Sequence, residues 1–122
     1  MTAEDRARVL IVEDEAVISL LLQDVLEDSG YHVVGPAGTL QEALALAGSE
    51  TLDVALLDVS LNQNDAYPVA ELLDARGIPF VFMTGHGEAG RDDLYKDRLV
   101  LHKPFNMDDV PKVVARLLQD SA

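Results

Sequence analysis

The sequence of 122 residues has no cysteine and no tryptophan, and it carries nine lysines and arginines against 22 acidic side chains. Each shortage excludes something. Without cysteine there is no disulfide framework, no thiolate chemistry and no zinc–thiolate site. A formal net charge of −13 argues against DNA or RNA as a direct partner, because nucleic-acid affinity is carried mainly by neutralising phosphates. The apolar runs are far too short to span a bilayer, and residues 1–8 lack the apolar core of a secretory signal. No membrane insertion and a cytoplasmic location are therefore expected. At 48% hydrophobic residues the chain is too apolar for disorder, and its length suits one domain. The expectation is a single domain over 1–122 with its core at about 7–120, and no output domain.

Among what is present, the stretch Asp53-Val54-Ala55-Leu56-Leu57-Asp58 stands out. Four consecutive apolar residues without polar alternation read as a strand buried on both faces, the mark of a parallel sheet. The run stops at a carboxylate, Asp58. A lone Asp after a strand is ordinarily a turn former or helix cap. The pattern repeats, however: Arg8-Val9-Leu10-Ile11-Val12 runs into Glu13-Asp14-Glu15, Ile78–Met83 ends at Thr84, and Leu99–His102 ends at Lys103. Tyr31–Pro36 is a more polar strand, expected near an edge.

Between the strands lie amphipathic segments. Ala16–Ser29 reads as a helix closed by Gly30, with Ile18, Leu21, Leu22, Val25 and Leu26 on the sheet-facing arc. Val17 and Leu20 fall outside that arc, either as stray surface apolars or as the rim of a protein-binding patch. Thr39 caps a helix to about Gly48 with Leu40, Ala43, Leu44 and Ala47 on one face. Ser60–Asp65 reads as a polar loop, and Ala66–Arg76 as a helix closed by Gly77 with Pro68 in its first turn. Glu88–Lys96 is expected to be the least stable helix, given Gly90 and few apolar residues. Asn106 or Asp108 caps a last helix with Val110, Val113, Val114, Leu117 and Leu118 facing the core.

Five strands alternating with five helices predict right-handed βαβ units and an α/β, flavodoxin-like three-layer (βα)5 sandwich with parallel order 2-1-3-4-5. That topology gathers Glu13, Asp14, Asp58, Thr84 and Lys103 at one sheet edge, where open α/β sheets bind ligands. Crowded carboxylates repel and call for a cation or raised pKa values. Mg²⁺ suits them because it accepts few protein carboxylates and keeps waters. A lysine and a hydroxyl opposite suit an anion, for which a phosphoryl group is the obvious candidate.

These residues resemble the receiver domain of two-component response regulators, the CheY-like proteins, over essentially the whole chain. Pro79-Phe80-Val81-Phe82-Met83-Thr84-Gly85-His86-Gly87 is moreover similar to the pattern of the FAT GUY receivers, mostly stand-alone regulators of alphaproteobacteria. The resemblance implies a phosphorelay switch. Asp58 would accept a phosphoryl group from a histidine kinase or histidine phosphotransferase. Asp14, Asp58 and the Ser60 backbone carbonyl would ligate Mg²⁺, with Glu13 acting through water. Lys103 and Thr84 would hold phosphoryl oxygens, and the Lys103–Pro104 bond would be cis. The output would be contact with a downstream protein target, or a relay or phosphate-sink role, by a monomer or weak dimer. The domain would turn over no free substrate and so is not expected to be an enzyme.

The sequence departs from the family pattern at two places. Val100 stands where many receivers carry a switching aromatic, so His86 becomes either a substitute switch or a loop residue tuning water access. Asn62 stands where most receivers have proline. The glycines after Thr84 predict a mobile segment, Gly85–Lys96. The competing function is a Mg²⁺-dependent aspartyl-phosphate phosphohydrolase. That class usually has Asp-x-Asp at its nucleophile, whereas Asp58-Val59-Ser60 lacks the second acid. A flavodoxin-like cofactor carrier is disfavoured, because Glu13-Asp14-Glu15 would repel a phosphate monoester.

Overall fold

The computed structural model describes residues 6–61, 64–84 and 100–120. Five parallel strands form the main sheet: β1 (Arg8–Val12), β2 (His32–Ala37), β3 (Val54–Asp58), β6 (Phe80–Thr84) and β7 (Val100–His102). Their order is β2-β1-β3-β6-β7, which is 2-1-3-4-5 when only these strands are counted. Two short antiparallel strands, β4 (Ser60–Leu61) and β5 (Asn64–Asp65), follow β3.

Successive side chains of a strand point to opposite faces, and that alternation divides the core in two. Leu10, Val12, Ala55, Leu57, Phe80 and Phe82 face helices α2 (Leu40–Ser49) and α3 (Tyr67–Ala75). Val9, Ile11, Val54, Leu56, Val81 and Met83 face α1 (Ala16–Asp28) and α4 (Asp109–Asp120). Full burial on both faces explains why β1, β3 and β6 read as unbroken apolar runs. Each large apolar side chain so buried contributes roughly 1.5–3 kcal/mol.

The local signals behave as expected at most element ends. The Thr39 hydroxyl accepts from the Glu42 N–H at 3.1 Å, Pro68 lies in the first turn of α3, and Gly30 and Gly77 follow α1 and α3 at positive φ. Asn106 settles the choice at α4: its Oδ1 accepts from Asp108 N–H at 2.9 Å, and its carbonyl from Asp109 N–H. The Lys103–Pro104 peptide is cis. Strand β2 is an edge strand.

Two expectations need correcting. Leu21 does not face the core; it is 45% exposed. At about 100° per residue the buried arc of α1 is rotated away from Leu21 towards Ser19, whose hydroxyl donates to the Glu13 carbonyl at 3.2 Å. Leu21 therefore joins Val17 (70% exposed) and Leu20 (60%) in one exposed apolar patch. The segment after Asp58 is also not simply a polar loop, because Leu61 is wholly buried and the β4–β5 ladder orders its backbone. Four helices lie among the described residues. The segment Gly85–Lys96, including His86 and the fifth helix expected at Glu88–Lys96, lies outside them, as does Asn62.

Candidate functional site

Parallel strands of similar length end together, so β1, β3, β6 and β7 deliver their last residues to a common edge. Glu13 and Asp14 follow β1, Asp58 ends β3, Thr84 ends β6 and Lys103 follows β7. The register fixes this convergence: Val12 lies beside Leu57, Asp58 beside Met83, and Thr84 beside His102. Lys103 N–H donates to the Thr84 carbonyl at 2.7 Å, tying the last two strand ends together.

Glu13 is the most constrained member. Its N–H donates to the Ala37 carbonyl at 3.0 Å. That bond depends on a register shift in β1–β2 at Gly35, where φ is +93° and an added Cβ would lie 2.9 Å from Ala37 N. Glu13 Oε2 accepts from Glu15 N–H at 3.0 Å, while Oε1 lies 2.7 Å from Lys103 Nζ. The carboxylate is only 1% exposed, so the ammonium is the charge that compensates its burial.

Lys103 Nζ also lies 3.3 Å from Asp58 Oδ2 and 3.5 Å from Glu15 Oε1. Burial alone would lower the lysine pKa, but the Glu13 hydrogen bond and the charges of Asp58 and Glu13 raise it above its ordinary value. The ammonium form is therefore secure at neutral pH. Asp58 and Thr84 are each 5% exposed, whereas Asp14 is exposed. One oxygen from each of Glu13, Asp14 and Asp58 can be chosen so that all three lie within 4.8 Å of one another.

The donor set is all oxygen, with two acids buried and one open to solvent, so it fits a hard divalent cation that keeps part of its water shell. A cation there and Lys103 beside it would face an anion on Asp58 from two sides. Every residue anticipated at the edge is brought there, Glu13, Asp14, Asp58 and Lys103 by their side chains and Thr84 by its place at the end of β6. Ser60 begins β4, two residues beyond Asp58. Sequence reasoning missed Glu15 as a third carboxylate near Lys103. Its proximity to Asp14 was a signal, but its direction depends on how α1 starts.

A family model described as the response regulator receiver domain matches residues 9–115. The solution structure of SdrG from Sphingomonas melonis Fr1 is 45% identical, with a TM-score of 0.81, over 97% of this chain and 99% of that one. The transcriptional regulatory protein PdtaR of Mycobacterium tuberculosis is 36% identical over 107 residues, covering 84% of this chain and 52% of PdtaR. The crystal structure of the response regulator PhyR from Brucella abortus is 30% identical, with a TM-score of 0.81, over 94% of this chain and 49% of PhyR. This chain thus spans about half the length of PdtaR and PhyR. With fold, strand-end residues and family match in agreement, the chain belongs to the receiver domain family of response regulators, the proteins of two-component signalling.

Proposed function

We propose that Asp58 is the phosphoacceptor of a response regulator receiver domain with its core at about 7–120. The observation that carries this reading is the meeting of Glu13, Asp14, Asp58 and Lys103 at one sheet edge, with Thr84 at the end of the adjoining strand. A carboxylate oxygen of Asp58 attacks the phosphorus of a phosphohistidine on a histidine kinase or histidine phosphotransferase. The O–P bond forms as the P–N bond breaks, and the imidazole leaves with the bonding electron pair. Lys103 and the Thr84 hydroxyl receive oxygens of the transferred group, and Lys103 offsets its charge where water is scarce. Asp14, Asp58 and the Ser60 carbonyl would hold Mg²⁺ directly, and Glu13 through a water. When bound, Mg²⁺ supplies positive charge against the phosphoryl oxygens.

The signal leaves through protein contacts, to which the exposed Val17, Leu20 and Leu21 are suited, or by onward phosphoryl flow. Oligomeric state is monomer or weak dimer, the location cytoplasmic. Among the described residues no helix is long and apolar enough to cross a membrane. The domain is a phosphoacceptor rather than an enzyme acting on a free substrate. Beryllofluoride with Mg²⁺ tests this reading by NMR, because it mimics an aspartyl phosphate without transfer. Amide shifts at Asp58, Thr84 and Lys103 that disappear in Asp58→Asn are expected; an unchanged spectrum would contradict the assignment. Catalytic turnover of p-nitrophenyl phosphate would instead favour the phosphohydrolase.

A further inference from the structure

We propose that Glu15 is a positioning residue for Lys103: its carboxylate draws the ammonium outward and slows phosphoryl uptake by Asp58. The inference rests on the assignment of Asp58 as phosphoacceptor. Three carboxylates share Lys103 Nζ, at 2.7 Å (Glu13), 3.3 Å (Asp58) and 3.5 Å (Glu15). The first two are nearly inaccessible, whereas the Glu15 side chain is 62% exposed, so Glu15 alone pulls towards solvent.

The placement of Glu15 is built in. Its N–H is held by Glu13 Oε2 at 3.0 Å, so the carboxylate that takes the lysine with one oxygen anchors the competing residue with the other. Glu15 precedes α1 but makes no side-chain capping bond there, so helix capping does not explain its acid. Glu15 and Lys103 form the charged side of a cleft of about 460 Å³ whose other walls, Ile18, Leu21, Pro104, Phe105 and Met107, are apolar. Those apolar side chains offer the Glu15 carboxylate no donor.

A phosphoryl group on Asp58 requires Lys103 to turn one N–H towards it. Sharing with Glu15 opposes that turn, and the Glu15 charge also repels anionic donors at the mouth of the site. Both effects slow uptake, but only the first acts through Lys103, so a double-mutant cycle separates them. An ion pair this exposed is weak, and about a threefold change in rate is the expected size.

The experiment follows phosphoryl uptake from acetyl phosphate at fixed Mg²⁺ by intact-protein mass, in wild type, Glu15→Gln, Lys103→Ala and the double variant. Thermal melts check that each variant is folded, and the ¹⁵N resonance of Lys103 Nζ is recorded in wild type and Glu15→Gln without metal. Expected are about threefold faster uptake in Glu15→Gln, no gain from the same change in Lys103→Ala, and a displaced Nζ resonance. Equal or slower uptake in Glu15→Gln overturns the proposal. So does a gain that persists without Lys103, since Glu15 would then act on the donor alone. If wild type takes up no phosphoryl group, the phosphoacceptor assignment has failed, and an unmoved Nζ resonance then also overturns the pairing with Glu15.

Discussion

The two edges of the sheet use charge in opposite ways. At the edge where the strands begin, Arg8 and Arg76 are matched to fixed acceptors. Arg8 N–H donates to Asp53 Oδ2 at 2.7 Å, Arg8 Nε to the Thr51 carbonyl at 2.6 Å, and its guanidinium pairs with Glu50 at 3.0 Å. Arg76 Nη1 reaches the Ala47 carbonyl at 2.6 Å and the Glu50 carbonyl at 2.9 Å, closing the ends of α2 and α3. Arg76 thereby satisfies carbonyls at the end of α2 that would otherwise lack donors. At the opposite edge Glu13, Glu15 and Asp58 gather around Lys103, and Asp14 clusters with Glu13 and Asp58. Balanced charge there would serve stability better. On the proposed reading, the excess of carboxylate at that edge is what would draw a cation, against which a phosphoryl group could then be held.

The sharpest way to break this comparison is to alter the unbalanced edge and read function. Asp58→Asn is expected to abolish phosphoryl uptake while leaving the fold intact, checked by mass and by circular dichroism. Lys103→Ala should slow uptake by about 10²-fold, the usual loss for one group that stabilises developing charge, measured as the rate with acetyl phosphate.

Smaller effects sharpen the comparison from the stability side. Arg76→Ala should cost about 1 kcal/mol, because two carbonyls lose a charged donor, and should leave the uptake rate unchanged; urea denaturation and the mass assay check the two halves. Asp14→Ala should do the reverse. Removing an exposed acid from a crowded set should stabilise the metal-free protein by about 0.5 kcal/mol and impair Mg²⁺-dependent uptake. Lower stability of metal-free Asp14→Ala would mean that Asp14 serves the fold.

The smallest expected effect concerns pH. The Lys103 pKa is raised above 10.5 in the fold, so its pairing contributes fully below the unfolded value and is lost as pH rises through the folded one. The stability difference between wild type and Lys103→Gln should therefore be constant from about pH 7 to 9 and shrink only above 10.5. A difference that already fell between pH 7 and 9 would place the lysine pKa too low for this arrangement.

The sequence made the strand ends legible for a physical reason. Strands buried on both faces are unbroken apolar runs, so a carboxylate or lysine that ends one is conspicuous, and parallel topology brings such ends together. Helix faces were less legible. Leu21 has the spacing of a core residue, yet the buried arc of α1 runs through Ser19, Leu22 and Leu26 and leaves it exposed. Leu61 was hidden among polar neighbours, because a single buried side chain has no periodicity. The shift at Gly35 depends on pairing between distant segments, and so does the reach of Glu15 to Lys103. Neither leaves a mark in local spacing.

The assignment of Asp58 as phosphoacceptor is tested most directly by intact-protein mass after incubation with acetyl phosphate and Mg²⁺. A single phosphoryl adduct that requires Mg²⁺, is prevented by EDTA and is absent from Asp58→Asn is the expected result. An adduct that persists in Asp58→Asn, or a wild-type protein that remains unmodified, would contradict it.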